Sequence, residues 1–176
     1  MKQVLLIDES NVFRDYLKYK LDSFHVNTEI GLGPLDSISK LRTLVPDLLI
    51  IDYATSKSFV FDLLESKKGD PNARNIPVII LAQKIEKSDL ARLSSFSIKK
   101  ILPKPLKIDQ LFSTIADTLR INFDIDSTPC ILESHVNDNI VFIEIAQGLN
   151  REKIELLRYS LRELISLYSL TTPKIL

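Results

Sequence analysis

The chain has 176 residues, enough for one domain of ordinary size with an appendage. Its 23 basic and 23 acidic residues cancel, leaving no basic field to hold a nucleic acid, and 45% hydrophobic against 26% charged residues argues against disorder. Apolar runs such as residues 4–7 and 78–82 fall far short of the roughly 20 residues a membrane helix needs. The first residues carry no signal-peptide pattern and Cys130 has no second cysteine to pair with, so a cytoplasmic protein is expected.

From Gln3 to about Arg120, short apolar runs alternate with helix-period segments, the rhythm of βα units around a parallel sheet. Strands are predicted over residues 4–8, 26–30, 48–52, 78–81 and 98–102, each rich in Ile, Leu and Val as strands buried on both faces should be. Ser10 is a candidate N-cap for a first helix, residues 11–21, whose inner face carries Val12, Tyr16 and Leu17. Pro34 suits the first turn of a second helix carrying Leu35, Ile38 and Leu41. Asp70-Pro71-Asn72 stops a third helix, and Pro77 stands where the fourth strand begins. Ser88 is expected to cap a short fourth helix through Leu93. Pro105 closes the loop after the fifth strand, and residues 108–119 supply the fifth helix. The expected fold is α/β, a doubly wound, flavodoxin-like parallel sheet of five strands in the order 2-1-3-4-5.

After Arg120 the rhythm changes. Two extended runs, residues 130–136 and 140–146, flank Asn137-Asp138-Asn139, which reads as a hairpin turn. In the second run Val141, Ile143 and Ile145 make one apolar face. Asn150 can cap a helix whose Ile154, Leu157, Leu161, Leu164 and Tyr168 form a stripe, and residues 173–176 look like the opening of another strand. The expected organisation is a domain over residues 1–122, a linker over 123–128, and a β-hairpin and helix segment over 129–176. Such a segment is marginal alone, so it is expected either to be part of a domain cut short or to form a homodimer through residues after Pro129. It resembles the first half of a STAS domain.

In an open parallel sheet, functional groups gather outside the carboxyl ends of the strands where strand order reverses. Asp8 and Glu9 end the first predicted strand, Asp52 the third, and Lys104 follows the fifth. Three carboxylates brought together repel unless a cation compensates them, and Mg²⁺, which prefers oxygen ligands, is the expected one. A carboxylate beside such an ion can attack phosphorus, with Lys104 as a point charge for phosphoryl oxygens.

Four segments then carry a specific likeness: Val4-Leu5-Leu6-Ile7-Asp8-Glu9-Ser10, Pro46-Asp47-Leu48-Leu49-Ile50-Ile51-Asp52, Asn75-Ile76-Pro77-Val78-Ile79-Ile80-Leu81, and Pro103-Lys104-Pro105. Together, over about residues 1–122, they resemble the receiver domain of bacterial two-component response regulators. The resemblance implies that Asp52 is the phosphoacceptor, that Asp8, Glu9, Asp52 and the Ala54 backbone carbonyl hold the metal, and that Lys104 contacts the phosphoryl group. It further implies a sensor histidine kinase or phosphotransfer protein as donor, and an output domain or protein as receiver of the signal. Such a chain is not an enzyme beyond its own phosphorylation and dephosphorylation.

The departures fall at the switch. The family has Ser or Thr then a small residue at the end of the fourth strand, where this chain has Ala82 and Gln83, and an aromatic residue where it has Ile101. A phosphorylatable receiver with altered output is therefore set against a pseudo-receiver, an interaction module that works without phosphorylation. A haloacid dehalogenase type hydrolase fails, because Asp8-Glu9-Ser10 is not Asp-x-Asp. Other features read as structural: Gly31-Leu32-Gly33 as a turn, Lys99 and Lys100 as solvated charges, His25 and His135 as lacking partners at ligand spacing, and Cys130 as a small buried apolar group.

Overall fold

A computed structural model of the chain describes residues 1–104, 106–126 and 128–176, and among them all side chains but those of Glu163 and Ser166. Pro105 therefore lies outside the described residues. The chain divides into two compact units, Met1–Phe123 and Asp124–Leu176.

In the first unit β1 (Lys2–Ile7), β2 (Val26–Ile30), β3 (Leu48–Asp52), β4 (Val78–Ala82) and β5 (Ile98–Pro103) form a parallel sheet ordered β2-β1-β3-β4-β5. Helices α1 (Asn11–Ser23), α2 (Gly33–Leu44), α3 (Lys57–Gly69), α4 (Lys87–Leu93) and α5 (Ile108–Leu119) connect the strands. This is the flavodoxin-like arrangement expected above. Its central strands β3 and β4 are buried at every residue, which is why they are runs of Leu, Ile and Val and do not alternate. The register sets Ile7 beside Ile51, Asp52 beside Leu81 and Ala82 beside Pro103, so the carboxyl ends of β1, β3, β4 and β5 share one rim.

Local chemistry explains some helix limits. The Ser10 hydroxyl oxygen accepts the Phe13 N–H at 3.2 Å, capping α1. Asp70 follows α3, and its carboxylate accepts the Asn72 N–H at 2.9 Å to make the stop. Two expectations need correction. Ser88 is not a cap: α4 begins at Lys87, with Glu86 at the N-cap position and no side-chain cap bond. Leu35 is 86% exposed, because the helix begins at Gly33 and its inward stripe runs instead through Ser37 and Leu41, with Ile38 partly buried. Gly33 has φ 77, a left-handed value that costs glycine little.

In the second unit β6 (Ile131–Asn137) and β7 (Ile140–Ala146) form an antiparallel hairpin turning through Asp138 at φ 52. Helix α6 (Arg151–Leu167) follows, and β8 (Lys174–Ile175) returns parallel to β7, giving the order β6-β7-β8. Asn150 caps α6: its Oδ1 accepts the Lys153 N–H at 3.1 Å, while its Nδ2 donates to the carbonyls of Asp126 and Thr128 at 2.6 and 2.8 Å. Asp126 accepts the backbone N–H of Arg151 at 2.8 Å and that of Thr128 at 3.0 Å, which holds its pKa down at about 2. The segment read as a linker is thus tied to the start of α6. Cys130 and Val141 are buried, but Ile145 is 51% exposed, Ile154 42% and Tyr168 55%, so the apolar stripe is covered only in part. Among the described residues no helix is long and apolar enough to cross a membrane.

Leu49 is fully buried in the cluster where α2 and α3 residues meet the sheet. Leu49→Ala is expected to lower the stability of the first unit by about 2 to 5 kcal/mol, measured by urea unfolding.

Candidate functional site

The rim assembles three of the sequence candidates. Asp8 lies one residue past β1 and is 3% exposed, Asp52 closes β3 and is 5% exposed, and Lys104 follows β5. Lys104 is led there by its backbone N–H, which donates to the Ala82 carbonyl at 2.8 Å. Its ammonium donates to Asp52 Oδ2 at 2.7 Å and to Asp8 Oδ2 at 3.3 Å, bridging the two acids. The Phe13 ring stands 5.9 Å from the same nitrogen. Each acid is also steadied from its own loop: Asp8 Oδ1 accepts the Ser10 N–H at 2.8 Å, and Asp52 Oδ1 the Ala54 N–H at 3.1 Å.

Burial decides the electrostatics. Loss of water pushes the Asp8 carboxyl above its ordinary value, outweighing the charge of Lys104 and the Ser10 hydrogen bond, and Asp52 pushes the same way. Burial works against the Lys104 ammonium too, but its hydrogen bond to Asp52 and the two carboxylate charges prevail and raise its pKa. The pocket is thus short of positive charge, and one lysine serves both acids.

Glu9 is not brought into this group. It is exposed and lines a separate cavity of about 390 Å³ with Gly33, Pro34, Thr55, Phe59 and Asp62. Among the described residues no group of three or more His, Cys, Asp or Glu is gathered as a metal centre. The donor set nevertheless suits a hard divalent cation at two points: Asp8 and Asp52 are buried carboxylates with oxygen donors only, and burial disfavours the charge of Asp8. Ala54 is exposed at the mouth of the same loop.

Of the switch positions, Ala82 and Gln83 stand at the end of β4, and Ile101 lies within β5 beside Ile80. Ala82 is 4% exposed and has no side-chain donor, Gln83 is exposed, and Ile101 packs partly buried against the core cluster. Sequence reasoning missed Tyr53, Lys57 and Asp89, which form a polar cluster beside Asp52: the Tyr53 hydroxyl donates to Asp89 Oδ2 at 2.6 Å, and Lys57 lies 3.1 Å from Asp89 and 3.2 Å from Glu86. No local pattern announces a contact between residues 36 positions apart.

The first unit has the fold of response-regulator receiver domains. Comparison with solved structures agrees. The signal receiver domain of a DNA-binding response regulator from Colwellia psychrerythraea 34H is similar with a TM-score of 0.61 and 23% identity, over 68% of this chain and 99% of that one. The Vibrio cholerae chemotaxis protein CheY4 gives a TM-score of 0.60 and 17% identity, over 67% and 98%. By sequence the chain is similar to the Regulator of RpoS of Escherichia coli strain K12, 28% identical over 108 residues. The match covers 60% of this chain but only 31% of that relative. A hybrid signal transduction histidine kinase D of Dictyostelium discoideum is 20% identical over 118 residues, 67% of this chain and 8% of that protein. No family model matches.

The raised pKa of Asp8 makes its charged form the costly one in the folded state. Its stabilising contribution is full below the ordinary value of 3.8 and is lost as pH rises through the higher folded value. Asp8→Asn is therefore expected to raise the urea midpoint at neutral pH and to leave it little changed at a pH below 3.8.

Proposed function

We propose that the first unit is a two-component receiver that accepts a phosphoryl group on Asp52 from a sensor histidine kinase or phosphotransfer protein and passes its state to an output domain or protein. The observation that carries this reading is the Lys104 ammonium held between Asp52 and Asp8 at 2.7 and 3.3 Å. A lone structural ion pair needs one acid, whereas a second buried acid at burial cost marks a site kept for chemistry. In the reaction a carboxylate oxygen of Asp52 attacks phosphorus, the bond from phosphorus to the donor breaks with its electron pair leaving on the donor, and an acyl phosphate remains. Lys104 must loosen its hold on Asp52 Oδ2 and follow the incoming phosphoryl oxygens. Mg²⁺, held by Asp8, Asp52 and the Ala54 carbonyl, would supply charge neutralisation of the phosphoryl group. Glu9 would reach the ion only by turning in from the surface or through water.

Ala82 and Ile101 favour a second reading, the pseudo-receiver, since neither can answer a phosphoryl group with a hydroxyl or an aromatic rotation. Labelling the full chain with a small phosphodonor and Mg²⁺ separates the two. Incorporation that disappears in Asp52→Asn is expected; incorporation that survives it, or none in the wild type, would sink the acceptor assignment.

The second unit is read as a homodimer contact, on the observation that Ile145, Ile154 and Tyr168 remain about half exposed on one small sheet and helix. Sedimentation of the full chain is expected to show a dimer that Ile145→Asp dissociates; a monomeric wild type would end that reading.

A further inference from the structure

The loop that leaves Asp52 is connected to α4 by side chains, and α4 has little else to hold its first turn. The helix has 7 residues, lacks a side-chain cap and buries only Leu93 at its far end. Arg92 rests its guanidinium 3.9 Å from the centre of the Phe61 ring, again near that end. The first turn is held instead through Asp89, which accepts the Tyr53 hydroxyl at 2.6 Å and pairs with Lys57 at 3.1 Å, while Lys57 also reaches Glu86 at 3.2 Å. Tyr53 itself is 4% exposed, so its ring is packed and cannot move without the backbone that carries it.

That backbone is wired to the acceptor. The Ala54 N–H donates to Asp52 Oδ1 at 3.1 Å, the Thr55 N–H to the Asp52 carbonyl at 3.3 Å, and the Tyr53 N–H to the Leu81 carbonyl on β4 at 2.8 Å. The Thr55 hydroxyl is buried without a hydrogen-bond partner among the described residues, so the loop is not held at every polar group. When Asp52 becomes an acyl phosphate its carboxyl loses the negative charge, whichever oxygen attacks. The Ala54 N–H, which now donates to a carboxylate oxygen, then faces an uncharged acyl oxygen beside phosphoryl oxygens that carry the negative charge, so its partner changes. The loop is released at the residue next to Tyr53.

We propose that the Tyr53–Asp89–Lys57 cluster is a conformational clamp that couples the state of Asp52 to the position of α4. Closed, it holds the first turn of α4 on the loop after β3; when the loop resets, Tyr53 withdraws its hydroxyl from Asp89 and the turn is freed. This rests on Asp52 being the acceptor, and it needs no hydroxyl at Ala82 and no aromatic ring at Ile101. Tyr53 and Asp89 are positioning residues with no contact to the phosphoryl group. The hydrogen bonds of Tyr53 and Lys57 also hold the Asp89 carboxyl below its ordinary value, a mark of the closed clamp that can be read in solution.

The test uses the full chain with Mg²⁺ and beryllofluoride, following the amide signals of Ala54 and of the α4 residues, with acyl phosphate formation from a small donor measured separately by mass. In the wild type both sets of amides are expected to shift. In Tyr53→Phe, which keeps the ring, and in Asp89→Asn, the Ala54 signal should still shift while the α4 response falls about tenfold, the effect of losing one charge-assisted hydrogen bond. The Asp89 carboxyl should titrate higher in Tyr53→Phe than in the wild type. If α4 responds in both variants as it does in the wild type, or stays silent in a wild type that is labelled, the clamp is refuted and the acceptor assignment stands. If the wild type forms no acyl phosphate and Ala54 does not move, the acceptor assignment fails and the clamp fails with it.

Discussion

One ammonium group serving two buried carboxylates is the constraint on which the rim of the first unit depends. Asp8 and Asp52 stand on neighbouring strands and are almost wholly removed from water, so their mutual repulsion is poorly screened. Lys104 can answer both only because β5 ends beside β4 and its backbone is pinned to the Ala82 carbonyl. Sheet order, register and charge balance are therefore one problem. A one-residue slip of any of these strands would turn the acid or the lysine to another face of the sheet.

The chain meets this demand with a hydrophobic sheet whose strand ends are set by register. β3 and β4 are buried throughout, and the helices above and below them leave the carboxyl rim as the place where polar groups reach solvent. Stability is given up at that rim, since burial raises the Asp8 carboxyl pKa and one lysine is shared. The neighbouring polar cluster of Tyr53, Lys57 and Asp89 is set in a different regime. Its Asp89 is part-buried and low in pKa, while the Tyr53 phenol, desolvated and facing that carboxylate, is pushed up to about 12.

Strands buried on both faces are legible in sequence because burial forces continuous runs of Leu, Ile and Val, and the five runs here stand out against polar helix surfaces. The meeting of Asp8, Asp52 and Lys104 follows from the rule that strand ends share a rim. What escaped depends on angles that no residue type encodes. Leu35 faces water because α2 turns Ser37 and Leu41 inward. Glu9 follows Asp8 directly, yet neighbouring residues point apart, and only the backbone decides which of them enters the pocket. Tyr53 and Asp89 meet across a separation of 36 residues, where nothing periodic links them. In the second unit, β8 has only two residues and pairs with β7 in parallel, too short a run for periodicity to announce.

The two carboxylates and their lysine are far apart along the chain: Asp8 and Lys104 are separated by 96 positions. During synthesis the acids therefore leave the ribosome long before their counter-charge does. No nascent fragment that stops short of Lys104 can hold this rim in its final form, because the charge that bridges the two acids is the last of the three groups to be made.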